Sequence, residues 1–367
     1  MTLYSISLEG FRNYSRLEAA FAPGVNVIYG ENAQGKTNLL EAVAYLSSAS
    51  SHRARYDREL IRFGEDHAYV SAQVLARERT FSLEARIHRG TRRQLFSNGV
   101  RLKSAAELSG VLQTVLFCPE DLYLIREGAA VRRRFMDSCI CQLRPRYAGA
   151  LLEYRRLYEH KTRILRDWGE KPSLLDALDE FSARMAQAGA VIVHYRAHFA
   201  KRLQALSAAI HQDFSGGREE LGLSYETIKT IPDPQAPPQV LLPQLLEHQQ
   251  AHRRAELESR QCLSGPHKDD LSVSINGVGA KAFASQGQTR TAALSLKLAC
   301  RELIYQESGE WPVLLLDDVL SELDARRQEY VLQRITGGQV FITCCGDMGL
   351  TALEQGKTFH IKDGALA

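Results

Sequence analysis

No stretch of this chain approaches the roughly 18 uninterrupted apolar residues that a membrane helix needs. Its start, MTLYSISLEGFRNY, lacks the basic-then-apolar-then-small layout of a signal peptide. Neither secretion nor a membrane span is therefore expected. Metal-binding cysteine pairs are missing too. The seven cysteines (Cys118, Cys139, Cys141, Cys262, Cys300, Cys344 and Cys345) form no CxxC and have no His at zinc spacing. They read as reduced, mostly buried thiols of a cytosolic protein. Charge of one sign is scarce: 46 Lys and Arg stand against 43 Asp and Glu, a net +3. That permits a nucleic-acid partner without demanding one, because the footprint depends on where charge clusters. What is present is ordinary globular material, 367 residues with 44% hydrophobic and 24% charged. At about 150 residues per domain this predicts two domains or three, with a core that needs no staples.

The first hundred residues read as strands. Tyr4, Ile6 and Leu8 alternate with Ser5 and Ser7, and Phe81, Leu83, Ala85 and Ile87 alternate with polar neighbours. Asn98-Gly99 is a hairpin signal. From about Asp121 to Gln261 the chain is rich in Arg, Ala, Leu, Glu and Gln, the strong helix formers. Tyr154, Leu157, Tyr158 and Lys161 fall at helical spacing, as do Leu203, Leu206 and Ile210. The stretch Ile231–Pro238, with four prolines, is read as a stiff loop. After Gly265 strand character returns at Leu271, Val273 and Ile275, followed by Asn276-Gly277. A helix with Ala292, Leu296, Ala299 and Leu303 on one face follows, then two apolar strands, 313–316 and 339–343. The expected division is 1–120, a helical insertion at 121–261, and 262–367.

Gly30-Glu31-Asn32-Ala33-Gln34-Gly35-Lys36-Thr37 fits GxxxxGK followed by Ser or Thr, between a short strand (Val25, Val27, Ile28) and a helix face (Leu39, Leu40, Val43, Leu46). Glycines let such a loop curl its N–H groups onto phosphate oxygens, and the helix N-terminus adds a positive dipole end. Lys36 would reach the β- and γ-phosphates of ATP, and Thr37 would ligate Mg²⁺. Far downstream, Val313–Leu316 leads into Asp317 and Asp318. Asp317 is the expected metal ligand and Asp318 the general base for the attacking water.

Ser285-Gln286-Gly287-Gln288 opens the amphipathic helix. A Ser, a Gly and a free helix start make either an ordinary cap or a second anion site. Taken in order, the phosphate loop, long insertion, Ser-Gln-Gly-Gln helix, Asp-Asp strand and Ser321-Glu322-Leu323-Asp324 have the layout of an ABC-type ATPase head. The fold class expected is therefore α/β, an ABC-type P-loop ATPase head with a mixed sheet and an inserted helical arm.

Further segments narrow the resemblance. Gly10-Phe11-Arg12-Asn13-Tyr14, Ser51-His52-Arg53, Pro119-Glu120-Asp121-Leu122, Arg132-Arg133-Arg134-Phe135 with Asp137, and Gly265-Pro266-His267-Lys268-Asp269-Asp270-Leu271 together resemble the RecF family of bacterial recombination-mediator ATPases. The likeness covers essentially the whole chain. SMC proteins have similar heads but much longer coiled coils, whereas this arm, fully helical and folded up and down, would reach no more than about 100 Å.

The resemblance implies a slow, DNA-dependent ATPase. Two heads would dimerise head to tail around two ATP molecules, and the dimer would hold double-stranded DNA near single-strand gaps. RecR and RecO would be partners in loading RecA during the SOS response, in the bacterial cytoplasm at the nucleoid. It implies nucleotide contacts by Arg12, Gly30, Asn32, Gly35, Lys36, Thr37 and Asn38. Across the dimer it implies contacts by Ser285, Gly287 and Gln288, with Ser285 joining Lys36 and Asp318 in catalysis.

Three positions depart from ABC heads at large: Gln286 replaces Gly, Asp318 replaces Glu, and Thr343-Cys344 stands where transporter ATPases carry His. No residue is assigned to the Q-loop or to the γ-phosphate sensor. Candidate DNA-phosphate contacts are Arg53, Arg55, Arg132, Arg133 and Arg134, with Arg155 and Arg156 on the arm. The alternative for each is an ion pair on a solvated helix face. His267 is read as structural. The competing readings are an SMC-like chromosome-organising head, a DNA scaffold with structural ATP, and a small-molecule P-loop kinase, for which no acceptor lid is visible.

Overall fold

Alternation in the first hundred residues builds an antiparallel sheet, and the later apolar runs build a parallel one. The computed structural model describes residues 1–335, 337–345 and 356–367, apart from the side chain of Glu322, which was expected in the Ser-Glu-Leu-Asp stretch. In chain order the first strands are β1 (Thr2–Phe11), β2 (Tyr14–Ala20), β3 (Val25–Tyr29), β4 (His67–Ala76) and β5 (Arg79–His88). Next come β6 (Gln94–Ser97), β7 (Val100–Arg101), β8 (Thr114–Phe117), β9 (Leu221–Glu226) and β10 (Asp270–Ile275). The last are β11 (Val278–Gly279), β12 (Val313–Asp317), β13 (Val340–Cys344), β14 (Lys357–Lys362) and β15 (Ala365–Leu366). No helix among the described residues is long and apolar enough to cross a membrane.

The chain divides into two units, Met1–Leu122 with Ala293–Ala367, and Tyr123–Ala292. The first unit holds two sheets of six strands. One is antiparallel, β2-β1-β4-β5-β6-β7; the other runs β15-β14-β3-β13-β12-β8. In the latter, β14, β3, β13, β12 and β8 are parallel and only β15 is antiparallel. A strand covered on both faces should be apolar throughout, and all five residues of β12 are buried. The helix Lys36–Ser48 lays Leu39, Leu40, Val43 and Leu46 into the same core as Leu3, Ile6, Leu8 and Phe341.

The face expected for β1 is half right. Ile6 and Leu8 are buried, but Leu3 replaces Tyr4, which points to solvent. The pairing with β4 slips between Leu3 and Ser5, and a one-residue slip moves side chains to the other face. Buried Gln339 ties the start of β1 to the second sheet. Its amide bonds the backbone N–H of Leu3 (2.7 Å) and the carbonyls of Leu3 (2.8 Å) and Ala22 (2.7 Å).

The second unit contains the helices Ala129–Leu143, Pro145–Asp167, Leu178–Ser215 and Pro238–Ser259, and the small antiparallel sheet β11-β10-β9. The 38 residues of Leu178–Ser215 span about 57 Å. Two expectations are corrected. The insertion, read as helices and a Pro-rich loop, also holds a strand: Leu221, Leu223 and Tyr225 alternate along β9, a six-residue pattern hidden among helix formers. The return to the first unit falls at Ala293, not at 262, because β10 pairs with β9 along six residues. The Pro-rich loop is bonded to the long helix by His194 and His198, both on the Gln235 carbonyl.

Candidate nucleotide site

The phosphate loop leaves β3 at Gly30 and enters the helix at Gly35. Both glycines adopt positive φ, 152° and 118°. A Cβ on Gly30 would lie 2.3 Å from the Ile361 carbonyl oxygen, and one on Gly35 would lie 2.6 Å from the Asn13 amide. Only glycine fits at either end. The loop is braced from behind by the β1–β2 turn. Asn13 Nδ2 donates to the Gln34 carbonyl (2.8 Å), and the Tyr14 hydroxyl donates to the Gly35 carbonyl (2.8 Å).

The loop opens on a cleft of about 360 Å³ lined by Asn32, Ala33, Gly35, Lys36, Thr37, Asn38, Arg53, Asp317, Asp318 and Thr343. Lys36 Nζ donates to the carbonyls of Gly30 and Glu31, each at 2.7 Å. Thr37, 280 positions from Asp317 in sequence, donates its hydroxyl to Asp317 Oδ1 at 2.9 Å. Thr343 donates to the same oxygen at 2.8 Å and accepts the Asp318 backbone N–H at 2.8 Å. Burial raises the Asp317 pKa above the ordinary range, while the hydroxyls of Thr343 and Thr37 oppose that rise. One hydroxyl and one buried carboxylate oxygen are the hard donors that Mg²⁺ takes beside phosphate and water, so Thr37 and Asp317 fit that ion.

Asp318 turns out of the strand with φ 53°. Its carboxylate accepts the Ser321 hydroxyl at 2.9 Å, and the Cys345 thiol lies 3.9 Å away while donating to Asn32 at 2.9 Å.

Other expected residues sit elsewhere. Arg12 does not line the cleft. It makes a two-pronged bond to buried Glu41 (2.8 and 2.7 Å) and donates to the Glu59 carbonyl (2.9 Å), so its guanidinium is used in bracing. Burial works to raise the Glu41 pKa, but bonds from Arg12 and Ser51, with Arg53 nearby, hold it below the ordinary range. Gly30 contributes its carbonyl to Lys36 rather than lining the cleft.

Ser285, Gly287 and Gln288 belong to the second unit. Ser285 Oγ accepts the Gln288 N–H (3.2 Å), and Gln288 Oε1 accepts the Ser285 N–H (2.8 Å). This reciprocal pair is a capping box. The cap expected as one alternative is therefore present, and the Ser285 hydroxyl remains exposed at the helix start.

Among the DNA candidates, Arg53 lies in the cleft wall, donating to Asn38 (2.9 Å) and 3.6 Å from Glu41. Arg132 is buried and clamps Asp270 with two bonds (2.7 and 2.8 Å), and Arg133 donates to the Asp269 carbonyl (2.6 Å). The expectation of DNA contact by Arg132 is corrected: the side chain is buried and its guanidinium makes four bonds inside the fold, two to Asp270 and two to the carbonyls of Leu124 and Glu127. For Arg133, the bond to Asp269 places at least part of the guanidinium in fold contacts. Arg55, Arg134, Arg155 and Arg156 are exposed. His267 lies within the second unit, between the Tyr154 hydroxyl (2.7 Å) and the Cys262 carbonyl (3.0 Å).

Thr343 and Asn13, noted in the sequence only for their positions, and Glu41 and Cys345 receive their roles from the structure. Thr343 pairs with Asp317 in the parallel register of β12 and β13, a proximity that only strand order reveals. Glu41, an acid on the apolar side of a helix, is the kind of anomaly that marks a buried ion pair.

The chain matches the family model described as the RecF/RecN/SMC N-terminal domain over residues 2–360. It is 39% identical to the DNA replication and repair protein RecF of Agathobacter rectalis, covering 99% of this chain and 98% of that one. It is 41% identical to that of Listeria innocua, covering 100% and 99%. A solved RecF with ATP, described as a recombination mediator of the RecFOR pathway, superposes with TM-score 0.92 at 34% identity, covering 100% and 96%. The Smc head of Pyrococcus furiosus, at 16% identity and TM-score 0.56, shares the fold. The chain belongs to the RecF family, within the SMC-like ABC ATPases.

Proposed function

We propose that the chain is an ATP-dependent DNA-binding protein of recombinational repair and replication, a slow ATPase that closes as an ATP-bridged homodimer. The observation that carries this reading is the meeting of Thr37, Asp317 and Thr343 on one carboxylate oxygen beside the phosphate loop. Likeness to an ATP-bound RecF supports the choice of nucleotide. Thr37 and Asp317 would hold Mg²⁺, which when bound supplies positive charge to the phosphate oxygens.

Lys36 exchanges its two carbonyl partners for phosphate oxygens. Asp318, fixed by Ser321, orients the attacking water and takes its proton; an Asp in place of Glu fits slow turnover. Arg53 adds positive charge in the cleft wall. Ser285, Gly287 and Gln288 of a second copy face the γ-phosphate, so its loss on hydrolysis removes the bridge. The dimer holds double-stranded DNA near single-strand gaps and works with RecR and RecO in RecA loading and the SOS response, in the cytoplasm at the nucleoid.

The test is single-turnover hydrolysis with gapped DNA. Lys36→Ala is expected to lose ATP binding by at least about 100-fold with an unchanged melting temperature, since its partners are loop carbonyls. Asp318→Asn is expected to bind ATP and hydrolyse it about 100-fold or more slowly. Equal rates for Asp318→Asn and wild type would remove Asp318 as the base.

A further inference from the structure

The first turn of the signature helix Gln286–Ser308 is gripped from the end of the long arm helix. With Gln288 Oε1 on the Ser285 N–H, the other end of the amide, Nε2, donates to Glu219 Oε1 at 3.1 Å. Both ends of the amide are used, which fixes its orientation. The second oxygen of Glu219 lies 3.1 Å from Nε2 of buried His211, and His211 also bonds the backbone of Thr291, one turn along the signature helix. Glu219 is itself held. The helix Leu178–Ser215 ends in Gly216 and Gly217, at φ 64° and 76°, and Ser215 Oγ accepts the Glu219 N–H at 3.2 Å. The next residue, Glu220, donates its N–H to Asn276 Oδ1 at 2.8 Å, which locks the segment to the β10–β11 turn.

We propose that Glu219, backed by His211, is a positioning residue for the composite ATP site. It holds Gln288 in the orientation that presents the Ser285 turn to phosphate, and it ties that orientation to the end of the arm's long helix. This rests on the reading of Ser285, Gly287 and Gln288 as residues that meet the ATP of a second copy. Chain movements that shift the helix end at Ser215 therefore reach the signature turn through one carboxylate, without passing through the phosphate loop.

The test is an ATP titration of dimerisation followed by light scattering, with fluorescent-ATP binding to the monomer and melting temperature read in parallel. Glu219→Ala is expected to raise the ATP needed for half-dimerisation about tenfold, the scale of one charge-assisted bond, with monomer affinity unchanged. Glu219→Gln keeps an acceptor for the Gln288 amide and is expected within about threefold of wild type. Gln288→Met leaves Glu219 and His211 together and should show at least that loss, since it also removes the acceptor of the Ser285 N–H. Glu219→Ala combined with Gln288→Met should lose no more than Gln288→Met alone. Wild-type or tighter dimerisation by Glu219→Ala, or additive losses, would overturn the proposal. If Ser285→Arg also dimerises like wild type, the composite-site reading itself fails; if only Ser285→Arg is blocked, the positioning role alone fails.

Discussion

In the second unit, Arg196 is 3% exposed and every edge of its guanidinium is taken. Nε and Nη2 donate to Asp137 Oδ1, and Nη1 donates to the Pro266 carbonyl (2.7 Å) and Asp269 Oδ2 (3.1 Å). Asp137 also accepts from Tyr147, and Asp269 from Tyr225 and Thr227. In the nucleotide cleft of the first unit, Lys36 rests on two loop carbonyls and Asp317 on two hydroxyls, neutral partners that a phosphate or a metal can replace. The two regions use the same residue types. Charges closed onto opposite charges and buried hold a fold together. Charges resting on neutral partners at the edge of a cleft are ready for a ligand.

That contrast can be broken first at Arg196. Arg196→Ala leaves Asp269 buried without its cation and Asp137 with only the exposed Arg155, 3.5 Å away, an expected loss of about 3–5 kcal/mol in urea unfolding. A loss below about 1 kcal/mol would mean that the network is not what holds the arm unit.

His267 gives the next largest effect. Burial pushes its pKa down to about 4 from 6.5, with the Cys262 carbonyl opposing the fall. The unfolded chain therefore takes up the proton first. Stability contributed by neutral His267 is present above pH 6.5 and is lost as pH falls towards 4, by about 3 kcal/mol in all. His267→Gln should remove that part of the pH slope; an unchanged slope between pH 6.5 and 4 would contradict the assignment.

The smallest effect is on DNA. Arg55 and Arg58 stack beside the half-exposed Tyr56 ring, with no carboxylate partner among the described residues. Replacing either by Ala should flatten the salt dependence of DNA binding by about one unit of slope. Arg132→Ala should instead lower stability, because its partner is Asp270. Equal salt slopes for all three variants would erase the distinction between closed and open charges.

The phosphate loop, the Asp317-Asp318 pair and the Ser285 turn could be read as candidates because phosphate and metal binding, and helix capping, call for neighbouring residues of fixed type. Thr343 could not, since its partner lies 26 positions away and meets it only through strand order. Arg132 was misread because an arginine run looks alike on a free surface and inside an ion pair; Asp270, 138 positions on, decides which it is. The strand Leu221–Glu226 was lost in helix-forming composition, and with it the true end of the arm. The same blindness hid Glu219, whose meaning comes from Gln288 69 positions away.

The most direct test of the central claim is molar mass in solution, measured by light scattering without nucleotide, with ADP, and with ATP and Mg²⁺, for wild type and Ser285→Arg. The expected result is a mass that doubles from 41.1 kDa with ATP alone, and in wild type alone. A mass indifferent to ATP, or a Ser285→Arg variant that doubles like wild type, would contradict it.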